Sequence, residues 1–222
     1  MTLPDRRFAA FLFDMDGTLV NSIAAANRIW RRWALRHGID PDALIAQIHG
    51  VRAIDTVRRF APPGTDAEAE AALLTQQEID DVDGIVAIRG AAALVARMPP
   101  SRCALVTSAP RALALRRLEA AGVPVPEVVI AAEDVARGKP APDPFLAAAA
   151  ALGVDIADCL VWEDTATGLA AADAAGAGGA IAISETHHRP LDTRHPVRRD
   201  YRGLDIAIDG DGIRLVLSAA GD

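Results

Sequence analysis

Between Gly84 and Ile183, short β-rich runs alternate with Ala-rich helical segments joined by brief connections. Cys103 to Val106 precedes a helical stretch from Pro110 to Ala121, and Val128 to Ala131 precedes Pro142 to Leu152. Cys159 to Trp162 then precedes Thr165 to Ala175, with Ala180 to Ile183 after it. Such alternation predicts a parallel sheet with helices on both faces. The apolar run Phe8 to Phe13 reads as a further strand of that sheet. The expected fold class is α/β, a doubly wound parallel sheet.

Residues 20–84 interrupt this pattern. After Asn21 and Ser22, which suit a helix start, Ile23, Ala26, Ile29, Trp30, Trp33 and Ala34 recur at helical spacing, and Gly38 ends the run. Pro41 to Ile48, Ala53 to Phe60 and Asp66 to Ile79 continue in helical register, and no strand is expected in the block. The chain is therefore divided into an α/β core, residues 1–19 and 85–222, and a helical insertion, residues 20–84. Residues 185–202, with His187, His188, Arg189, Arg194, His195, Arg198 and Arg199, read as a solvated basic loop. Leu204 to Leu217 reads as a hairpin turning at Asp209-Gly210-Asp211-Gly212.

At 222 residues and 51% hydrophobic composition, the chain can build a sizeable core. A net charge of −7 without a long basic run argues against nucleic acid or an anionic membrane as partner. A small phosphorylated metabolite stays compatible, since a few local donors hold one phosphate. Cys103 and Cys159 lie in apolar runs and read as reduced, buried thiols. No leader or spanning segment is apparent, so a cytoplasmic protein is expected, as a monomer or weak homodimer.

In a parallel sheet the loops after the strands share one rim, where ligands bind. Four such loops carry reactive residues. Asp14-Met15-Asp16-Gly17-Thr18 ends the first strand with two carboxylates that need a cation, a shared proton or separate roles. Thr107 and Ser108 offer hydroxyls at a helix start, either as an ordinary cap or as anion donors. Lys139, the single lysine of the chain, sits between Gly138 and Pro140. Its compact ammonium suits a phosphate or carboxylate at close range. Glu163 and Asp164 open the last helix, either as favourable dipole partners or as part of a hard oxygen site suited to Mg²⁺.

In this order, the four segments resemble the motifs of the haloacid dehalogenase superfamily of phosphohydrolases over essentially the whole chain. The resemblance implies a Rossmann-like core, an α-helical cap in place of the insertion, and a bacterial sugar phosphatase of the β-phosphoglucomutase-like group. It assigns Asp14 as nucleophile and Asp16 as general acid and base. It places Thr107, Ser108 and Lys139 on the phosphate, and Mg²⁺ on Asp14, the Asp16 carbonyl and Asp164, with Glu163 at the metal site in or near the layer of residues just behind those ligands. His49 and Arg52, in the loop between two cap helices, would meet the non-phosphate end of the substrate; alternatively His49 closes a helix and Arg52 is a solvated charge. The implied activity is Mg²⁺-dependent hydrolysis of a small phosphorylated sugar or polyol. A phosphomutase and a non-catalytic phosphosugar-binding protein are the alternatives. Mutases of this group carry a His where this chain has Ala26, and dehalogenases lack the counterpart of Asp16.

Overall fold

The computed structural model describes residues 4–217. A six-stranded parallel sheet has the order β5-β4-β1-β6-β7-β8. Its strands are β1 (Ala10–Phe13), β4 (Cys103–Val106), β5 (Val128–Ile130), β6 (Cys159–Glu163), β7 (Gly179–Ile183) and β8 (Val197–Arg198). The chain builds outward from β1 to one side, then crosses over and builds to the other, so the switch point falls at β1. Phe13 pairs with both Leu105 and Trp162. Asp14, Val106 and Glu163 therefore leave the sheet at one level.

The strand residues alternate in size between the two faces. Phe11, Phe13, Leu105, Leu160, Trp162, Ile181 and Ile183 form one buried face. Ala10, Leu12, Ala104, Val106, Val161, Ala180 and Ala182 form the other. Helices α7 (Asp143–Leu152) and α8 (Ala166–Ala175) cover the small-residue face with Phe145, Ala148, Ala149, Ala171 and Ala172. Ala against Ala permits close helix–sheet approach, which explains the alanine-rich texture of these segments. The bulky face is filled by aromatic stacking of Phe13 on Trp162 (5.9 Å, 12°) and by Tyr201, 5.1 Å from Trp162. Helices α5 (Ala91–Arg97) and α6 (Arg111–Ala121) and the hairpin β9 (Leu204–Asp209) and β10 (Gly212–Leu217) complete it.

Helices α1 (Ile23–Arg36), α2 (Pro41–Ile48), α3 (Ala53–Phe60) and α4 (Ala67–Asp80) follow β1 and pack about a core of their own. That core holds Ile29, Trp30, Trp33, Leu44, Ile48, Val57 and Leu74. The chain leaves and re-enters the sheet region through an antiparallel ribbon of β2 (Val20–Asn21) and β3 (Val86–Ala87), so the expectation of a strand-free block is corrected at its edge. Two short strands tie exit to entry where a helix would have no partner.

The basic segment also departs from a solvated loop. β8 pairs with Ala182 and Ile183, Tyr201 is buried, and His187 turns inward. Its polar composition hides the few residues that anchor it. Cys103 and Cys159 are free and buried, and burial pushes both thiols up to about 12. No helix among the described residues is long and apolar enough to cross a membrane.

Candidate active site

The loops after β1, β4 and β6 and the segment before α7 meet at one end of the sheet, as the parallel arrangement requires. Lys139, followed by a cis bond to Pro140, reaches into this centre with all three ammonium hydrogens engaged. It donates to Asp14 Oδ1 (2.7 Å), Glu163 Oε1 (2.6 Å) and the Val106 carbonyl (3.1 Å). Lys139, Asp14 and Glu163 are all buried. Burial disfavours the ammonium, but Asp14 and Glu163 outweigh that effect and raise its pKa. Lys139 is a fixed cation.

Glu163 spends its second oxygen on the start of α8. Oε2 accepts from the Asp164 and Thr165 amides (2.8 Å each) and from Thr165 Oγ1 (3.0 Å). Glycine is required nearby, because a Cβ on Gly168 would overlap the Glu163 carboxylate. Asp164 lies against Gly17, which has a positive φ of 86° and where a Cβ would overlap the Asp164 carboxylate. Thr18 Oγ1 donates weakly to Asp164 Oδ1 (3.5 Å), and His187 Nε2 stands 3.4 Å from Asp164 Oδ2.

Asp14, Glu163 and Asp164 each bring one carboxylate oxygen within 4.8 Å of the others. Burial first, then repulsion from Glu163, pushes both Asp14 and Asp164 well above the usual carboxylate range, with Lys139 opposing. Three buried acids and one ammonium leave an uncompensated negative charge. Hard oxygens with surplus negative charge fit a divalent cation such as Mg²⁺. Both Glu163 oxygens are hydrogen-bonded at 2.6–3.0 Å, whereas the Asp164 side-chain contacts are 3.4 Å or longer and only one Asp14 oxygen meets Lys139, so these two carboxylates are the less engaged.

Asp16 sits on the cavity side. Ser22 Oγ donates to its Oδ1 (2.5 Å), and Arg117 Nη1 donates to its Oδ2 (2.8 Å). Ser22 occupies the expected cap position of α1 without capping it, because its hydroxyl serves Asp16 instead. Arg117 Nη2 also donates to Glu78 Oε1 (3.0 Å), and both residues are buried. Desolvation raises the Glu78 pKa despite Arg117.

The cavity between the helical insertion and the sheet is lined by Asp14, Asp16, Thr107, Ser108, His49 and Arg117, among others. Thr107 Oγ1 accepts from the Ala109 amide (3.1 Å), and Ser108 Oγ donates to the Gly50 carbonyl (2.9 Å) across to the insertion. Desolvation lowers the pKa of His49, which keeps its ring neutral. Arg52 points elsewhere, pairing with Asp55 (2.7 Å) and donating to the Val135 and Ala136 carbonyls (3.3 and 3.2 Å). It lines a second cavity beside Gly138 and Lys139.

The sequence pattern presents Ser22 as a helix start and His187 as part of a solvated loop, and gives Glu78 and Arg117 no role. Periodicity held a signal for two of them. Glu78 follows Leu74 by four residues and Arg117 follows Leu113 by four, which places a charge on the inward face of each helix.

Residues 8–176 match the family described as haloacid dehalogenase-like hydrolase. Hexitol phosphatase A of Escherichia coli (strain K12) is 42% identical over 174 residues, covering 77% of this chain and 81% of that protein. Validoxylamine A 7'-phosphate phosphatase of Streptomyces hygroscopicus subsp. limoneus is 34% identical over 184 residues, covering 79% and 85%. Among solved structures, a hydrolase from Pseudomonas syringae superposes with a TM-score of 0.75 at 24% identity, covering 86% of this chain and 94% of that one, a likeness of fold. With the motif residues gathered at one rim and the match running through most of its length, the chain belongs to the haloacid dehalogenase-like hydrolases.

Proposed function

We propose that this protein is a Mg²⁺-dependent phosphatase of small phosphorylated sugars or polyols that works through a phosphorylated Asp14. The observation that carries the reading is the Lys139 ammonium on Asp14 Oδ1, with Asp16 on the same cavity. Lys139 fixes one carboxylate oxygen, and among the described residues no donor takes Oδ2, which is left to react. The relatives named above, hexitol phosphatase A and validoxylamine A 7'-phosphate phosphatase, support the substrate class.

Asp14 attacks phosphorus, the bond from phosphorus to the substrate oxygen breaks, and Asp16 gives that oxygen its proton. Asp16 then takes a proton from water as water attacks the phosphoryl group, and the bond to Asp14 breaks to release orthophosphate. Thr107 and Ser108 supply hydroxyls at the start of α6, and Lys139 balances charge on Asp14 and on the phosphoryl oxygens. Such chemistry relies chiefly on positioning and on stabilising spread negative charge. Asp14 and Asp164 would hold Mg²⁺, which supplies further positive charge beside the phosphate when bound.

Helices α1 to α4 act in this reading as a cap, residues 20–84, over a core of residues 1–19 and 85–222. Their separate apolar core supports the division. His49 reaches the cavity from the cap and is taken to contact the substrate's hydroxyl end; Arg52 is taken as a contact at the cavity beside Lys139. Ala26 lines the cavity where a mutase of this group would present His, which favours hydrolysis over phosphate exchange.

The test is orthophosphate release from a panel of sugar, polyol and nucleotide monophosphates with Mg²⁺. Hydrolysis of sugar or polyol phosphates is expected, abolished by Asp14→Asn and lowered about 10²- to 10⁴-fold by Asp16→Asn. An isomerised product without phosphate release would point to the mutase instead, and tight binding without turnover to a non-catalytic protein.

A further inference from the structure

Buried charge is costly, and a guanidinium enclosed between two helices needs a reason beyond packing. Arg117 is such a group. It projects from α6 of the sheet region, and its two terminal nitrogens reach opposite partners: Asp16 on the loop after β1, and Glu78 near the end of α4. Arg117 and Glu78 are 4% and 6% exposed, and Arg117 Nε has no partner among the described residues. The remaining oxygen of Asp16 is held by Ser22, at the point where the chain enters α1. Both oxygens of Asp16 are thus tethered, one directly from the helical insertion and the other through an arginine that the insertion itself holds.

We propose that Arg117 is the positioning residue of Asp16, and that Glu78 makes this positioning conditional on α4 being seated over the cavity. The inference rests on the phosphatase reading and adds residues to it. With α4 in place, Glu78 takes one arm of the guanidinium fork, so the other arm meets Asp16 through a single nitrogen. With α4 displaced, that constraint is gone, and Arg117 is free to engage Asp16 in other geometries. Proton transfer to the leaving oxygen is then confined to the state in which the insertion excludes bulk water.

A leaving-group comparison tests this. The best alkyl phosphate of the substrate panel needs its departing oxygen protonated, whereas p-nitrophenyl phosphate does not. First-turnover burst rates of leaving-group release are measured with substrate in saturating excess for wild type, Arg117→Met, Arg117→Lys and Glu78→Gln, each first checked for cooperative thermal unfolding.

Arg117→Met is expected to slow the alkyl ester about 10- to 100-fold, the scale of a misplaced catalytic group, with the aryl ester changed less than about 3-fold. Glu78→Gln should show the same asymmetry more weakly, and Arg117→Lys, the gentler variant, should recover part of the rate. Half-saturating concentrations should stay within about 2-fold of wild type. Equal losses on both esters, unchanged rates, or a raised half-saturating concentration at unchanged rate would each overturn the proposal. Absence of wild-type turnover on both esters would instead sink the phosphatase reading.

Discussion

The ammonium of Lys139 lies 2.7 Å from Asp14 Oδ1, and both groups are buried. This pair joins the loop after β1 to the segment before α7, over 125 residues of chain. Glu163 joins the pair through a second bond to Lys139 at 2.6 Å, so one cation serves two carboxylates. Stability and chemistry are coupled at this point.

Removing that cation leaves two buried acids without compensation. Lys139→Met should therefore destabilise the protein by about 3–5 kcal/mol, the cost of breaking a buried ion pair by deleting one partner. Urea unfolding measures it. A variant with wild-type stability would show that the pair is not the anchor described here.

Metal and pH should act together. Asp14 and Asp164 have folded pKa values raised by burial and by Glu163. Each binds its proton more tightly folded than unfolded. Their destabilising effect is absent below the unfolded value, about 4, and grows as pH climbs from there toward the raised folded value. Metal-free protein should thus lose thermal stability as pH rises above about 4, and Mg²⁺ should flatten that slope. Melting curves in EDTA and in Mg²⁺ decide it; parallel trends would contradict the surplus-charge account.

Gly168 lies within α8, where alanine ordinarily gains about 1 kcal/mol over glycine. Here the added Cβ would overlap Glu163, which orients Lys139. Gly168→Ala is expected to lower the melting temperature and activity together. A stabilised, fully active variant would mean that the Glu163 carboxylate relocates without consequence.

His49, neutral and facing the cavity from the end of α2, should matter to binding more than to chemistry. His49→Ala is expected to raise KM for sugar and polyol phosphates about 5- to 30-fold, the worth of one or two hydrogen bonds, with kcat nearly unchanged. Steady-state kinetics on the preferred substrate would reveal the opposite split if His49 takes part in proton transfer.

Much of the molecule can be read from residue order. Strand and helix runs follow from short-range periodicity, and each of Asp14, Thr107, Lys139 and Glu163 stands at or just after a strand end or shortly before a helix. Parallel pairing alone brings such positions to one rim, so their meeting follows from topology. The parallel sheet and the helical insertion are visible for the same reason.

Direction of side chains across an interface is a different matter. Spacing from Leu113 turns Arg117 inward, but nothing local tells which carboxylates it meets there, or that Ser22 serves Asp16 in preference to capping α1. Likewise, the inward turn of His187 and the burial of Tyr201 depend on strand β8 docking beside β7. Strand–helix order, the reactive loops and the family are legible in residue order alone, because they are encoded in spacing over a few residues. Which charges share a buried partner emerges with the folded packing, since that choice is made by desolvation between segments far apart in the chain.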